Sequence, residues 1–301
     1  MHLKRKEMIP IRIHYTEEVK ENYWKRIKPL LTRKKEVILN DFIKHNQKFS
    51  EFKDAKGLIL SDFNKIKSCI KSLELGEPKG FDFMAAKYNT FVNNKDLYCN
   101  VSLIDDLGIT VCPYCNRSFI MSTRVGVDNK IKSTCQLDHF YNKDQYPIFA
   151  LSLQNLIPVC SSCNQSKGTE PFGLSPFEIE DVDKGFKFSL EYTKADYTKP
   201  EAFKGVTKTP ETALYEQRLT LGLDKLYERH NDIGHELFLK QHIYSEDRIR
   251  ELCESFPELF NSPNEVRQLV LGNYIDKKDV GKRPLAKMTR DIMLQLKFIE
   301  E

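Results

Sequence analysis

Residues 111–167 read VCPYCNRSFIMSTRVGVDNKIKSTCQLDHFYNKDQYPIFALSLQNLIPVCSSCNQSK, with two Cys-x-x-Cys pairs, Cys112/Cys115 and Cys160/Cys163, near their ends. Each spacing lets two thiolates of one turn point at one ion, so the four cysteines are expected to close a tetrahedral zinc site. Such a site has no open position, which makes zinc a scaffold and not the catalyst. The 44 residues between Cys115 and Cys160 are wider than a simple ribbon's gap and must hold an inserted element. That element carries Asp138-His139 and Asn155, and Asn164 directly follows the second pair. Any chemistry is expected from these side chains, with a second ion.

Working outward, Asp128-Asn129 lies between runs with β-branched residues and predicts a hairpin. The stretch 135–140 reads as a strand ending in the Asp-His pair, 147–156 as containing a short helical stretch, and 161–168 as a helix start or tight turn closed by Gly168. Upstream, Ile9, Ile11 and Ile13 alternate as a short strand would, and Thr16 reads as a helix N-cap followed by Glu17 and Glu18. Val19, Tyr23, Trp24 and Ile27 then recur at helical spacing. A second helix is expected after Thr32, with Val37, Ile38 and Phe42 on its apolar side. A third is expected over 58–75, stopped by Gly76 and Pro78, and a fourth around 82–93. Residues 185–192 alternate as a strand. Helical stripes follow through Leu214–Leu226 after Pro210, and through 233–243, 249–256, 266–271 and 288–296.

The class is therefore α+β: a central module at 109–175, a mainly helical basic region at 1–108, and a strand followed by helices at 176–301. At 301 residues with 40% hydrophobic and 30% charged residues, the composition favours neither disorder nor a membrane class. No apolar run approaches the ~20 residues of a spanning helix. The N-terminus lacks the ~7–15-residue apolar stretch of a signal peptide, so a cytoplasmic location is expected. Eight cysteines, four of them in Cys-x-x-Cys pairs, read as metal binding in a reducing compartment. Residues 1–80 hold 19 Lys+Arg against 11 Asp+Glu, a balance of +8, and the rest of the chain balances at −4. A basic front would attract a polyanion, and a solvated helix face explains it equally well.

Taken together, DHF at 138–140, Asn155-Leu156, Cys-x-x-Cys-Asn at 160–164 and Lys167 resemble the HNH family of endonucleases. The resemblance covers about 60 residues and implies a ββα-metal active site on a treble-clef-like zinc scaffold. By position it implies His139 as general base, Asp138 and Asn164 as ligands of the catalytic ion, and Asn155 as the residue steadying the loop that holds the base. Phosphodiester hydrolysis needs an activated water, a proton acceptor and a counter-charge. A neutral imidazole supplies the acceptor, and oxygen ligands suit Mg²⁺ or Mn²⁺. Lys167, one helical turn from Asn164, is expected on a phosphate, and Lys143, with Tyr141 and Tyr146, on a nucleic-acid strand. Packing explains the tyrosines as well.

The longer pattern resembles HNH nucleases of Septu-like and retron-associated antiphage systems. It implies DNA as substrate, RNA as an alternative, and an ABC- or SMC-type ATPase as partner. The helical C-terminal region, with residues 272–274 and Lys282-Arg283-Pro284, would then be a docking surface, and a plain helical domain stabilising the module explains it equally well. The competing class is a zinc-held module that grips nucleic acid or protein without cutting, for which Asp138-His139 with Asn155 and Asn164 would be superfluous.

Overall fold

The computed structural model describes residues 15–93, 100–169, 171–178, 182, 187–194, 196–208 and 217–300. They form two compact units, one holding 13–112 with 119–178, the other 113–118 with 179–301. The strand expected at 9–13, the helix start at Pro210 and Leu214 fall outside the described residues. No helix among them is long and apolar enough to cross a membrane.

In the first unit, Thr16 caps α1 (Glu17–Ile27) by accepting from Val19 N, and Val19, Tyr23, Trp24 and Ile27 are buried. Helix α2 (Arg33–His45) packs Phe42 of the expected stripe on Phe49 and Phe81, but its most buried positions are others. Leu39 and Ile43 are buried, whereas Val37 and Ile38 are 58% and 46% exposed. The single helix expected over 58–75 is two, α3 (Ala55–Ile59) and α4 (Phe63–Lys71). The break falls at Ser61, whose hydroxyl bonds back to Leu58 O. The new helix gives its Phe63 N–H to Gln154 Oε1 at 2.7 Å. Helices α5 (Asp82–Val92) and α6 (Asn100–Leu107) follow.

Two short antiparallel strand pairs come next. Strands β1 (Ser122–Val125) and β2 (Lys130–Ser133) make the hairpin. Its turn needs Gly126, at φ +73°, where an added Cβ would lie 3.0 Å from Asp128 Oδ1. Strand β3 (Cys135–His139) pairs with β4 (Leu156–Cys160) in the register Asp138↔Ile157 and His139↔Leu156. Helix α7 (Ser161–Lys167) starts directly from β4. Strand β4 went unread because Pro158 interrupts it. In a two-stranded sheet each strand has an outer edge, where a missing N–H costs nothing.

In the second unit, β5 (Lys187–Tyr192) pairs with β6 (Phe203–Lys208). Helices α8 (Leu223–Tyr227), α9 (Asn231–Ile243), α10 (Glu246–Ser255), α11 (Pro263–Leu271) and α12 (Ala286–Gln295) follow it in sequence, and α8, α9 and α12 pack on it. Helix α9 approaches β5 so closely at Gly234 that a Cβ would meet Leu190 Cδ1 at 2.6 Å. Helix α12 acts as a substitute strand, since Asp291 accepts from Phe188 N and Gln295 bonds both N and O of Leu190. Buried Asn116 accepts from Lys287 N at 3.0 Å and donates to Val280 O at 2.9 Å. The segments 272–274 and 282–284 meet one another: Arg283 bonds Gly272 O and lies over the Tyr274 ring.

Candidate active site

Strand β3 alternates its side chains, so Gln136 and Asp138 share one face. Helix α7 presents residues three apart on neighbouring positions, so Asn164 and Lys167 share another. The two faces meet in two rungs. Asn164 Nδ2 donates to Gln136 Oε1 at 2.7 Å. Lys167 Nζ donates to Asp138 Oδ1 at 3.2 Å and to His139 O at 3.0 Å.

Asp138 is 4% exposed, and the Lys167 side chain is fully buried. The sequence placed Lys167 on a substrate phosphate, but the structure turns its ammonium inward, onto Asp138 and the end of β3. Lys143 stays nearer the surface, its Nζ 3.0 Å from Asp144 Oδ1. Tyr141 stacks on Phe63 with centroids 5.8 Å apart, which is a packing role.

His139 is half-buried, and its Nε2 lies 3.0 Å from Ala150 O. A carbonyl only accepts, so the neutral ring carries its proton on Nε2 and leaves the Nδ1 lone pair as the base. Burial pushes the imidazole down to about 4, and the Lys143 and Lys167 charges push in the same direction, against the Ala150 bond. The ring is therefore neutral near pH 7 and able to accept a proton. Tyr88 packs against it in a T-shaped contact, centroids 4.3 Å apart.

The loop from Phe140 to Asn155 carries Ala150, and Asn155 closes it. Fully buried, Asn155 accepts from Tyr141 N at 2.9 Å and donates to Tyr141 O and Phe149 O. The front helices brace the same region through side chains bonded to its backbone. Tyr15 donates to Leu156 O, Tyr23 to Leu151 O and Tyr88 to Leu137 O. Several lysines of residues 1–80 pair with acids, such as Lys48 with Glu77 and Lys67 with Glu178.

Cys112, Cys115, Cys160 and Cys163 are all buried and in no disulfide, and their sulfurs lie within 4.8 Å of one another. Four convergent soft donors fit zinc, which would order this centre as part of folding. The Arg117 N–H points at Cys115 Sγ at 3.4 Å, the kind of donor that stabilises a bound thiolate. Cys135 stays outside the cluster, and burial pushes its thiol up to about 12, so it remains protonated. Asp138 and Asn164 supply a carboxylate and an amide oxygen, donors that suit a hard divalent ion.

Sequence reading missed Gln136 and Tyr88. The alternation of β3 carried the signal for Gln136, two residues before Asp138. Nothing local points to Tyr88.

The HNH endonuclease family matches residues 112–170 of the chain. The chain thus carries an HNH domain, which supports a nuclease. No curated protein and no solved structure gives a match.

Proposed function

We propose that this chain is a metal-dependent endonuclease that hydrolyses phosphodiester bonds in DNA. The observation that carries the reading is the His139 imidazole, its Nε2 3.0 Å from Ala150 O, beside the buried Asp138 on one strand. His139 Nδ1 takes the proton of the attacking water. The water oxygen forms the new bond to phosphorus as the bond to the leaving oxygen breaks, and that oxygen is protonated from solvent. Asp138 and Asn164 would hold Mg²⁺ or Mn²⁺, which when bound supplies counter-charge to the phosphate and the leaving oxygen. Asn155 keeps Ala150 in place, the Asn164–Gln136 and Lys167–Asp138 bonds keep α7 on β3, and zinc on the four cysteines would tie the start of α7 to residues 112–115.

We further propose an antiphage effector role in the bacterial cytoplasm, gated by an ABC- or SMC-type ATPase that docks on residues 272–274 and 282–284. Support for this wider role is the sequence resemblance together with the Tyr274–Arg283 contact that joins those two segments.

The test is nicking of supercoiled plasmid by the purified chain with Mg²⁺ or Mn²⁺. His139→Ala is expected to lower the rate by about 10²–10⁴-fold, the usual contribution of a positioned base. Zinc content by elemental analysis should stay at the wild-type level. EDTA should stop the wild-type reaction. Undiminished cleavage by the variant removes His139 as the base.

A further inference from the structure

An open cleft of about 760 Å³ lies beside the Gln136–Asn164 rung, within the ~300–1,000 Å³ that ligand sites occupy. Gln136 and Asn164 line it directly, so whatever fills it abuts a proposed ligand of the catalytic ion. Asn93, at the end of α5, and the hairpin residues Lys130 and Asp128 line it too. The hairpin forms its own two-stranded sheet, and Lys130 and Lys132 are exposed. By alternation these two lysines share a face, opposite Val125 and Thr123 in the register. Residues 122–133 carry Arg124, Lys130 and Lys132 against the single acid Asp128. Bonds from Met121 N to Thr134 Oγ1 and from Thr134 N to Met121 O fix the base of the hairpin, whose Lys130 and Asp128 line the cleft, with Lys132 next on the Lys130 face.

We propose that this cleft is the track of the nucleic-acid strand flanking the scissile phosphate, with Lys130 and Lys132 on its phosphates. The inference rests on the nuclease reading and gives it a substrate path. A two-stranded ribbon is narrow enough to lie along a nucleic-acid groove, and the polar amides of Asn93 and Gln136 suit sugar and phosphate oxygens. The charge is sequence-blind, so this contact positions the strand and does not select it.

The test uses the full chain in the His139→Ala background and fluorescein-labelled DNA, single-stranded and duplex, titrated across a salt series. Replacing both lysines, Lys130→Ala/Lys132→Ala, should weaken binding uniformly across sequences. It should also flatten the slope of log K against log salt by about 1.4 for single strands or about 1.8 for duplex, two phosphate contacts at ~0.7–0.9 each. Lys130→Arg/Lys132→Arg should keep the wild-type slope, which separates charge from a folding defect. Lys225→Ala/Lys240→Ala should also keep it. An unchanged slope in the alanine pair, or no binding by the parent, overturns the track. Plasmid nicking by the wild-type side chains is scored separately. If the alanine pair loses the slope while the wild type never cuts, the track stands and the nuclease reading falls. If the wild type cuts and the alanine pair binds like its parent, the track falls and the nuclease reading stands.

Discussion

Two buried lysine–carboxylate pairs, one in each compact unit, look alike until their surroundings are compared. Lys167 pairs with Asp138 and Lys287 with Asp291, and both lysine side chains are fully buried. Lys287–Asp291 is a local i,i+4 pair on α12, and Asp291 spends another oxygen on Phe188 N, tying β5 to the helix. Lys167–Asp138 spans 29 residues of sequence, joins α7 to β3, and its lysine also holds the carbonyl of His139. Burial of an ion pair thus says little by itself about function. The Lys287–Asp291 pair orders a sheet against a helix, while the Lys167–Asp138 pair orders the residue next to the His139 imidazole.

The largest expected effects come from breaking either pair on one side. Lys167→Met and Lys287→Met each remove the lysine cation from a buried carboxylate and should cost about 3–5 kcal/mol by chemical denaturation. The comparison predicts a split in activity under conditions where both variants remain folded. Lys287→Met should cleave plasmid at the wild-type rate. Lys167→Met should lose most of its cleavage, because Asp138 and the His139 carbonyl lose the group that fixes them. Equal activity in the two variants would erase the distinction.

That distinction was only partly legible in the sequence. The cysteine cluster was, because three-residue spacings bring donors together without help from the fold, and Asp138, His139, Asn155 and Asn164 came with the motif. The inward turn of Lys167 was also available: it lies four residues after Cys163, on the face of α7 that must point at the other cysteines. Reading it only as one turn from Asn164 sent it to the wrong side. Gln136 could have been found by strand alternation once β3 was drawn. The tyrosine braces could not be found, because Tyr88, Tyr23 and Tyr15 reach carbonyls 49, 128 and 141 residues away. Local pattern carries no information at that range. Strand β6 was missed for a related reason, since Gly205 and two lysines dilute its apolar signal and only its pairing with β5 makes it a strand.

A smaller effect is expected when the structural pair is replaced as a pair. Lys287→Met/Asp291→Leu removes both charges, and such exchanges are often neutral or stabilising. Here the Phe188 N–H loses its acceptor, and a buried donor left unsatisfied costs about 1–3 kcal/mol. The double variant should therefore be more stable than Lys287→Met alone and remain below wild type by about that amount. A double variant no better than the single one would mean that Asp291 matters through Phe188 and not through the lysine.

The smallest stability effect, and the sharpest use of the comparison, lies in the other rung. Gln136 is exposed, so Gln136→Ala should change stability by no more than about 0.5 kcal/mol. Its amide oxygen nevertheless holds Asn164 Nδ2 at 2.7 Å, and with that bond gone Asn164 is free to rotate. Side chains that orient a metal ligand typically contribute 10–100-fold in metal affinity or activity, so cleavage should fall by about that factor while the Mg²⁺ or Mn²⁺ concentration for half-maximal rate rises. Gln136→Glu keeps an acceptor for Asn164 and should restore the metal requirement toward wild type. A purely structural role for Gln136 would instead lower stability and rate together and leave the metal dependence where it was.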